Sequence, residues 1–97
     1  MRKIMTVQNQ IEKEKAGNQI KAHINLVAVY VISGMYKEAI EVCKQAVGIN
    51  PDFVTAHCWL GFIYVSLNDK GSALEQYNIL KRLDHERANE LYTVIHK

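Results

Sequence analysis

Apolar positions recur at helical spacing through most of the chain. Within INLVAVYVIS, residues 24–33, Leu26, Val27, Tyr30 and Val31 form the i, i+1, i+4, i+5 stripe of an amphipathic helix. Ser33-Gly34 ends it, because glycine accepts the left-handed conformation of a C-terminal cap. The pattern predicts a second helix from about Tyr36 to Ile49, with Ala39, Ile40, Cys43, Ala46 and Val47 on its inner face. Asn50-Pro51 stops that helix, since proline disfavours helical geometry in the residue before it. Asp52 is the expected N-cap of a third helix from about Phe53 to Leu67. Asn68-Asp69 then turns the chain into a fourth helix, from about Ser72 to Leu83. Asp84 or His85 precedes ERANELYTVIHK, a fifth helix with Leu91, Val94 and Ile95 on one face. Ahead of all of these, MRKIMTVQNQIEKEKA, residues 1–16, sets Ile4, Val7 and Ile11 on one face of a further amphipathic segment. That segment is expected to be a capping helix or a partly frayed tail; docking on this chain or a partner is the sharper alternative, and the narrow apolar face argues against membrane contact.

The helices are not independent. At an offset of 34 residues, Ala22 falls on Ala56, His23 on His57, Leu26 on Leu60, and Tyr30-Val31 on Tyr64-Val65. Ala39 falls on Ala73 and Glu41 on Glu75, with Val29/Ile63, Ile40/Leu74, Ile49/Leu83 and Asn50/Asp84 as conservative matches. The stretch GMYKEAIEVCKQAVGINP is therefore the second half of a repeated two-helix unit, and NDKGSALEQYNILKRLDH is its counterpart.

In its period and its positions the chain resembles the tetratricopeptide repeat family. Leu26, Tyr30, Gly34, Tyr36, Ala39, Ala46 and Asn50-Pro51 carry the resemblance in the first unit. Leu60-Gly61, Tyr64, Ala73, Tyr77 and Asp84 carry it in the second. Val27 departs from the pattern by replacing a small residue, which is expected to widen or rotate that helix pair. The resemblance implies an all-α fold, a right-handed superhelical solenoid of antiparallel helix pairs. It divides a single domain into an N-terminal segment (1–19), two repeats (20–53 and 54–87) and a C-terminal capping helix (88–97). It also implies a concave surface lined by the first helix of each unit, where the family holds a peptide or helix of a partner protein. Here that surface would comprise Lys21, Ile24, Asn25 and Ala28, then Thr55, Cys58, Trp59 and Phe62, then Asn89 and Tyr92 with Thr93 and His96. The lysine, arginine and asparagine set of the family's carboxylate-holding grooves is missing. An apolar groove around Ile24, Trp59, Phe62 and Tyr92 is expected instead, with aromatic anchors. The alternative is a self-associating building block, with a second copy closing the same patch in a homodimer or larger assembly.

Composition narrows the classes further. A net charge of +2 without a concentrated basic stripe argues against nucleic acid as a partner. Cys43 and Cys58 belong to no CxxC pair and read as reduced thiols in a cytoplasmic protein. The N-terminal residues lack the apolar run of a signal peptide. The apolar window at 24–33 falls short of the roughly 20 residues of a membrane span. His23 and His57 occupy matching positions and read as packing residues, not as metal ligands. With no nucleophile motif, paired carboxylates or phosphate-cradling loop, neither enzymatic activity nor a cofactor is expected.

Overall fold

The computed structural model describes residues 21–97; the N-terminal segment 1–19 and the start of the first repeat at residue 20 lie outside the described residues. All regular structure among the described residues is helical. Helix α1 covers residues 21–32, followed by α2 (Tyr36–Ile49), α3 (Val54–Ser66), α4 (Lys70–Leu83) and α5 (His85–Ile95). Helix α2 has the bounds its periodicity predicts, because a glycine cap precedes it and Pro51 follows it.

The turns inside the two units are built alike. After α1, Gly34 adopts φ +76°, its N–H donates to Val31 O, and the Met35 N–H donates to Tyr30 O. After α3, Asn68 adopts φ +61°, its N–H donates to Val65 O, and the Asp69 N–H donates to Tyr64 O. Both are Schellman caps, which satisfy the carbonyls that the last helical turn leaves open. Asparagine can replace glycine here because its short polar side chain tolerates the left-handed region better than most.

The helix starts differ from expectation at two places. Asp52 does not cap α3. Its own N–H donates to Asn50 Oδ1 in a local turn, and Phe53 occupies the cap position with no side-chain bond. Helix α4 begins at Lys70, ahead of Ser72, because the Asp69 carboxylate accepts from both the Ser72 N–H and its hydroxyl. Those bonds hold the Asp69 carboxyl below the usual carboxylate range, the Ser72 hydroxyl contributing most. Asp84 ends α4 and caps α5, accepting from the N–H groups of Glu86 and Arg87.

Helix α3 is the centre of the fold and packs against α2, α4 and α5. Two apolar clusters result. One joins Val27 of α1 with Ala39, Val42 and Cys43 of α2 and Leu60 and Ile63 of α3. The other joins Ala73 and Leu80 of α4 with Ala88, Leu91 and Ile95 of α5. Tyr64 packs against both. The inner face of α2 read from sequence is buried or half-buried, and Val42 joins it. On α1 the stripe splits: Val27 is wholly buried, Tyr30 and Val31 are half-buried, and Leu26 is exposed. Where α3 meets α5, Gly61 leaves no room for a side chain. A Cβ there would lie 2.5 Å from Leu91 Cδ2 and 2.9 Å from Cδ1. Val27, its counterpart in the first unit, is itself a core residue.

Candidate protein-binding groove

The close approach at Gly61 draws the buried side of α5 onto α3 and leaves a cleft beside the contact. Thr55, Cys58, Trp59 and Phe62 project from α3 at i, i+3, i+4 and i+7, one face of a helix. With Val54, Arg87 and Glu90 they line a cavity of about 300 Å³. Trp59 and Phe62 are half-buried, so each ring keeps a surface for a ligand. The floor is apolar, and one edge is charged. Arg87 Nη1 lies 3.1 Å from Glu90 Oε2, an exposed i, i+3 pair on α5. Glu90 raises the Arg87 guanidinium above its ordinary pKa, first through the hydrogen bond and then through its charge.

Cys58 sits in this cavity as a half-buried free thiol. Burial raises its pKa, Arg87 acts the other way, and the carboxylates of Asp84 and Glu90 add to the rise. The thiol is therefore kept protonated and serves as a small apolar lining group, not as a nucleophile.

A second cavity of about 250 Å³ adjoins the first at Thr55 and is lined also by Lys21, Ile24, Asn25 and Phe53. Three of the four positions read from α1 therefore belong to one surface with the α3 row. Ala28 is half-buried and lines neither cavity.

The α5 positions lie elsewhere. Tyr92 packs against Tyr77 of α4, ring centroids 5.4 Å apart, and against His96 at 4.2 Å. Lys81 Nζ stands 5.5 Å from the centroid of the Tyr77 ring. Asn89 is exposed and bonds the Thr93 hydroxyl through its carbonyl. Neither Asn89 nor Tyr92 lines the cavity, whose α5 contribution is Arg87 and Glu90. Transferring the α3 row by the repeat offset gives Asn89 and Tyr92, yet α5 starts at His85, ahead of residue 88 where the offset from Val54 places it. One linking residue, Asp84, replaces the four of 50–53. The phase of Leu91 in the core was the available signal: Arg87 and Glu90 flank it on one side, and Tyr92 on the other.

The paired histidines are structural in their contacts. His57, 3% exposed, places Nε2 2.7 Å from Pro51 O and Nδ1 2.8 Å from Gln76 Oε1. The Pro51 carbonyl can only accept, so Nε2 carries the proton; the Gln76 amide can serve Nδ1 as donor or acceptor. His23 Nε2 meets Gln45 Oε1 at 3.1 Å, so each ring joins the first helix of its unit to a glutamine on the second. No group of three His, Cys, Asp or Glu among the described residues could hold a metal ion. No described helix is long and apolar enough to cross a membrane.

Residues 28–68 match the family model described as a TPR repeat. The comparison with curated proteins found no match. The matched span begins within α1, takes in α2 and α3 and ends at Asn68. Such repeats generally mediate protein–protein interaction and are not catalytic. Within an all-helical architecture, residues 28–68 thus carry the match to a tetratricopeptide repeat.

Proposed function

We propose that the chain is an interaction module that holds a short segment of a partner protein along the α1–α3 face, with a large apolar side chain of that segment seated between α3 and α5. The cavity over Cys58, Trp59 and Phe62 carries this reading, because it combines an apolar floor with aromatic walls and a charged edge. Binding sites share that composition: apolar lining supplies the affinity, and a few polar groups fix orientation. Arg87 and Glu90 would meet the backbone or a polar neighbour of the anchor, and Lys21 and Asn25 would meet the segment where it continues past Thr55.

The test is selection of displayed peptides on the full chain, followed by affinity measurements on variants. Trp59→Ala and Phe62→Ala are each expected to weaken the selected peptides at least tenfold, about 1.4 kcal/mol, with unchanged helical circular dichroism. Tyr92→Ala, outside the cavity, is expected to bind as the parent does. Equal binding by all three variants would remove the cavity from the interaction.

A further inference from the structure

Helix α4 carries Lys70, Leu74, Tyr77 and Lys81 along one stripe, at i, i+4, i+7 and i+11. Helix α5 and its C-cap carry His85, Asn89, Tyr92 and His96 at the same spacing. The two stripes lie side by side, since the rings of Tyr77 and Tyr92 meet with centroids 5.4 Å apart. Asp84 alone links the helices, so they form a hairpin, with Lys81 and His85 at its closed end and Lys70 and His96 at its open end. Leu74 is 38% exposed and Tyr92 47%, so the apolar middle of this face meets solvent. Neither stripe contains an acidic residue. Glu75 lies on another face of α4, and Glu86 and Glu90 lie on other faces of α5. The nearest carboxylates in sequence, Asp69 and Asp84, accept from the N–H groups that start α4 and α5. Among the described residues, Lys70 and Lys81 form no ion pair.

We propose that this face of the α4–α5 hairpin is a docking surface separate from the α3–α5 cavity, and that it takes an acidic amphipathic helix of another protein. The apolar side of that helix lies on Leu74, Tyr77 and Tyr92, and its carboxylates meet Lys70 and Lys81. From Lys70 to Lys81 the α4 stripe is about 16 Å long, which a partner helix covers in roughly three turns. The seam between two packed helices is a groove, and a third helix fills such a groove with side chains at i, i+3, i+4 and i+7. Charge selects the acidic partner. The lysines stand on either side of the aromatic pair with no carboxylate to answer them, so an incoming acid gains a partner without displacing one. A second copy of this chain suits the face poorly, because a two-fold pairing sets one lysine row against another. The ring of Tyr92 is already positioned for the contact. It packs between Tyr77 and His96, whose ring centroid is 4.2 Å away, so little rotamer freedom is left to lose on binding.

The probe is a synthetic helical peptide of about three turns, with leucines at i, i+3 and i+7 flanked by glutamates, set against its counterpart with lysines in place of the glutamates. In an NMR titration of the full chain, the acidic peptide is expected to shift the Leu74 methyls and the Tyr77 and Tyr92 rings and to leave the Trp59 indole in place. The lysine peptide is expected to shift none of them. Replacing both lysines, Lys70→Glu with Lys81→Glu, is expected to weaken the acidic peptide by about tenfold or more and to admit the lysine peptide, with helical circular dichroism unchanged. Shifts at Trp59 alone would place the peptide in the α3–α5 cavity and overturn the proposal. So would no response to the acidic peptide, or an equal response to both peptides. An equal response to a single-stranded oligonucleotide would make the face a general polyanion surface and overturn it as well. The same resonances shifting as the chain alone is concentrated would give the face to a second copy, with the same consequence.

Discussion

At the scale of single residues, His57 is the polar centre of the second unit. Its ring ties α3 to the turn at Pro51 and to α4 through Gln76. Among the described residues, no buried side-chain nitrogen or oxygen lacks a partner. His57→Ala removes the ring from a buried site and leaves the Pro51 carbonyl and Gln76 without it. A loss of about 2–3 kcal/mol in urea unfolding is expected. Cys43 presents the opposite case, a wholly buried thiol within the first apolar cluster. Burial pushes its pKa up to about 12 from an ordinary 9.0. The folded state therefore holds a proton that the unfolded chain releases first. Stability from this group is intact below pH 9 and declines as pH rises from 9 towards about 12. Unfolding free energies measured across that window should fall less steeply for Cys43→Ala than for the parent.

At the scale of elements, the contact of α5 with α3 depends on a missing side chain. Leu91 is wholly buried, and its methyls occupy the space beside Gly61. Gly61→Val would drive Leu91 from that position. The repacking is expected to cost about 2 kcal/mol and to raise amide exchange through α5 before α2 is affected. The same displacement would reshape the cavity between α3 and α5, so peptide affinity should fall with it. The sequence is a good guide to the elements themselves. Every described helix is anticipated, and α2 to its terminal residues, because periodicity and turn residues act within one or two helical turns. The misjudged starts, at Asp52 and Lys70, both turn on which N–H a side-chain oxygen captures. Several acceptors compete for those donors within a few residues, and sequence alone does not rank them.

At the scale of the whole molecule, the two apolar clusters among the described residues share the ring of Tyr64. Tyr64 packs on the first cluster from α3 and on the second from the same helix. In a repeat protein, stability is a sum of unit terms and interface terms, and cooperativity resides in the interfaces. Tyr64→Ala should therefore do more than lower stability. Equilibrium unfolding followed by two probes, one in α2 and one in α5, is expected to separate into non-coincident transitions. Coincident transitions would place the coupling in the α3 backbone instead. Along the groove, the α3 row of Thr55, Cys58, Trp59 and Phe62 was legible from helical spacing and the family resemblance, and the structure brings those residues together. Lys21, Ile24 and Asn25 were legible in the same way, and they join the row through Thr55. Arg87 and Glu90 were not, nor was the position of Tyr92 against Tyr77.

By itself, then, the sequence determined the helices, the caps that end them and the two-helix unit they repeat. Each of these is decided by interactions between residues a few positions apart, or by a period that survives in the residue pattern. The cavity was decided only in three dimensions. Its walls depend on how closely α5 approaches α3 and which side it turns inward. Those follow from one absent Cβ at Gly61 and from a single linking residue at Asp84. An apolar stripe fixes which residues of a helix seek the core. The axial distance and rotation at which two such stripes meet depend on side-chain volumes from both helices at once. That is why the α3 wall of the groove could be read along the chain, and the α5 wall could not.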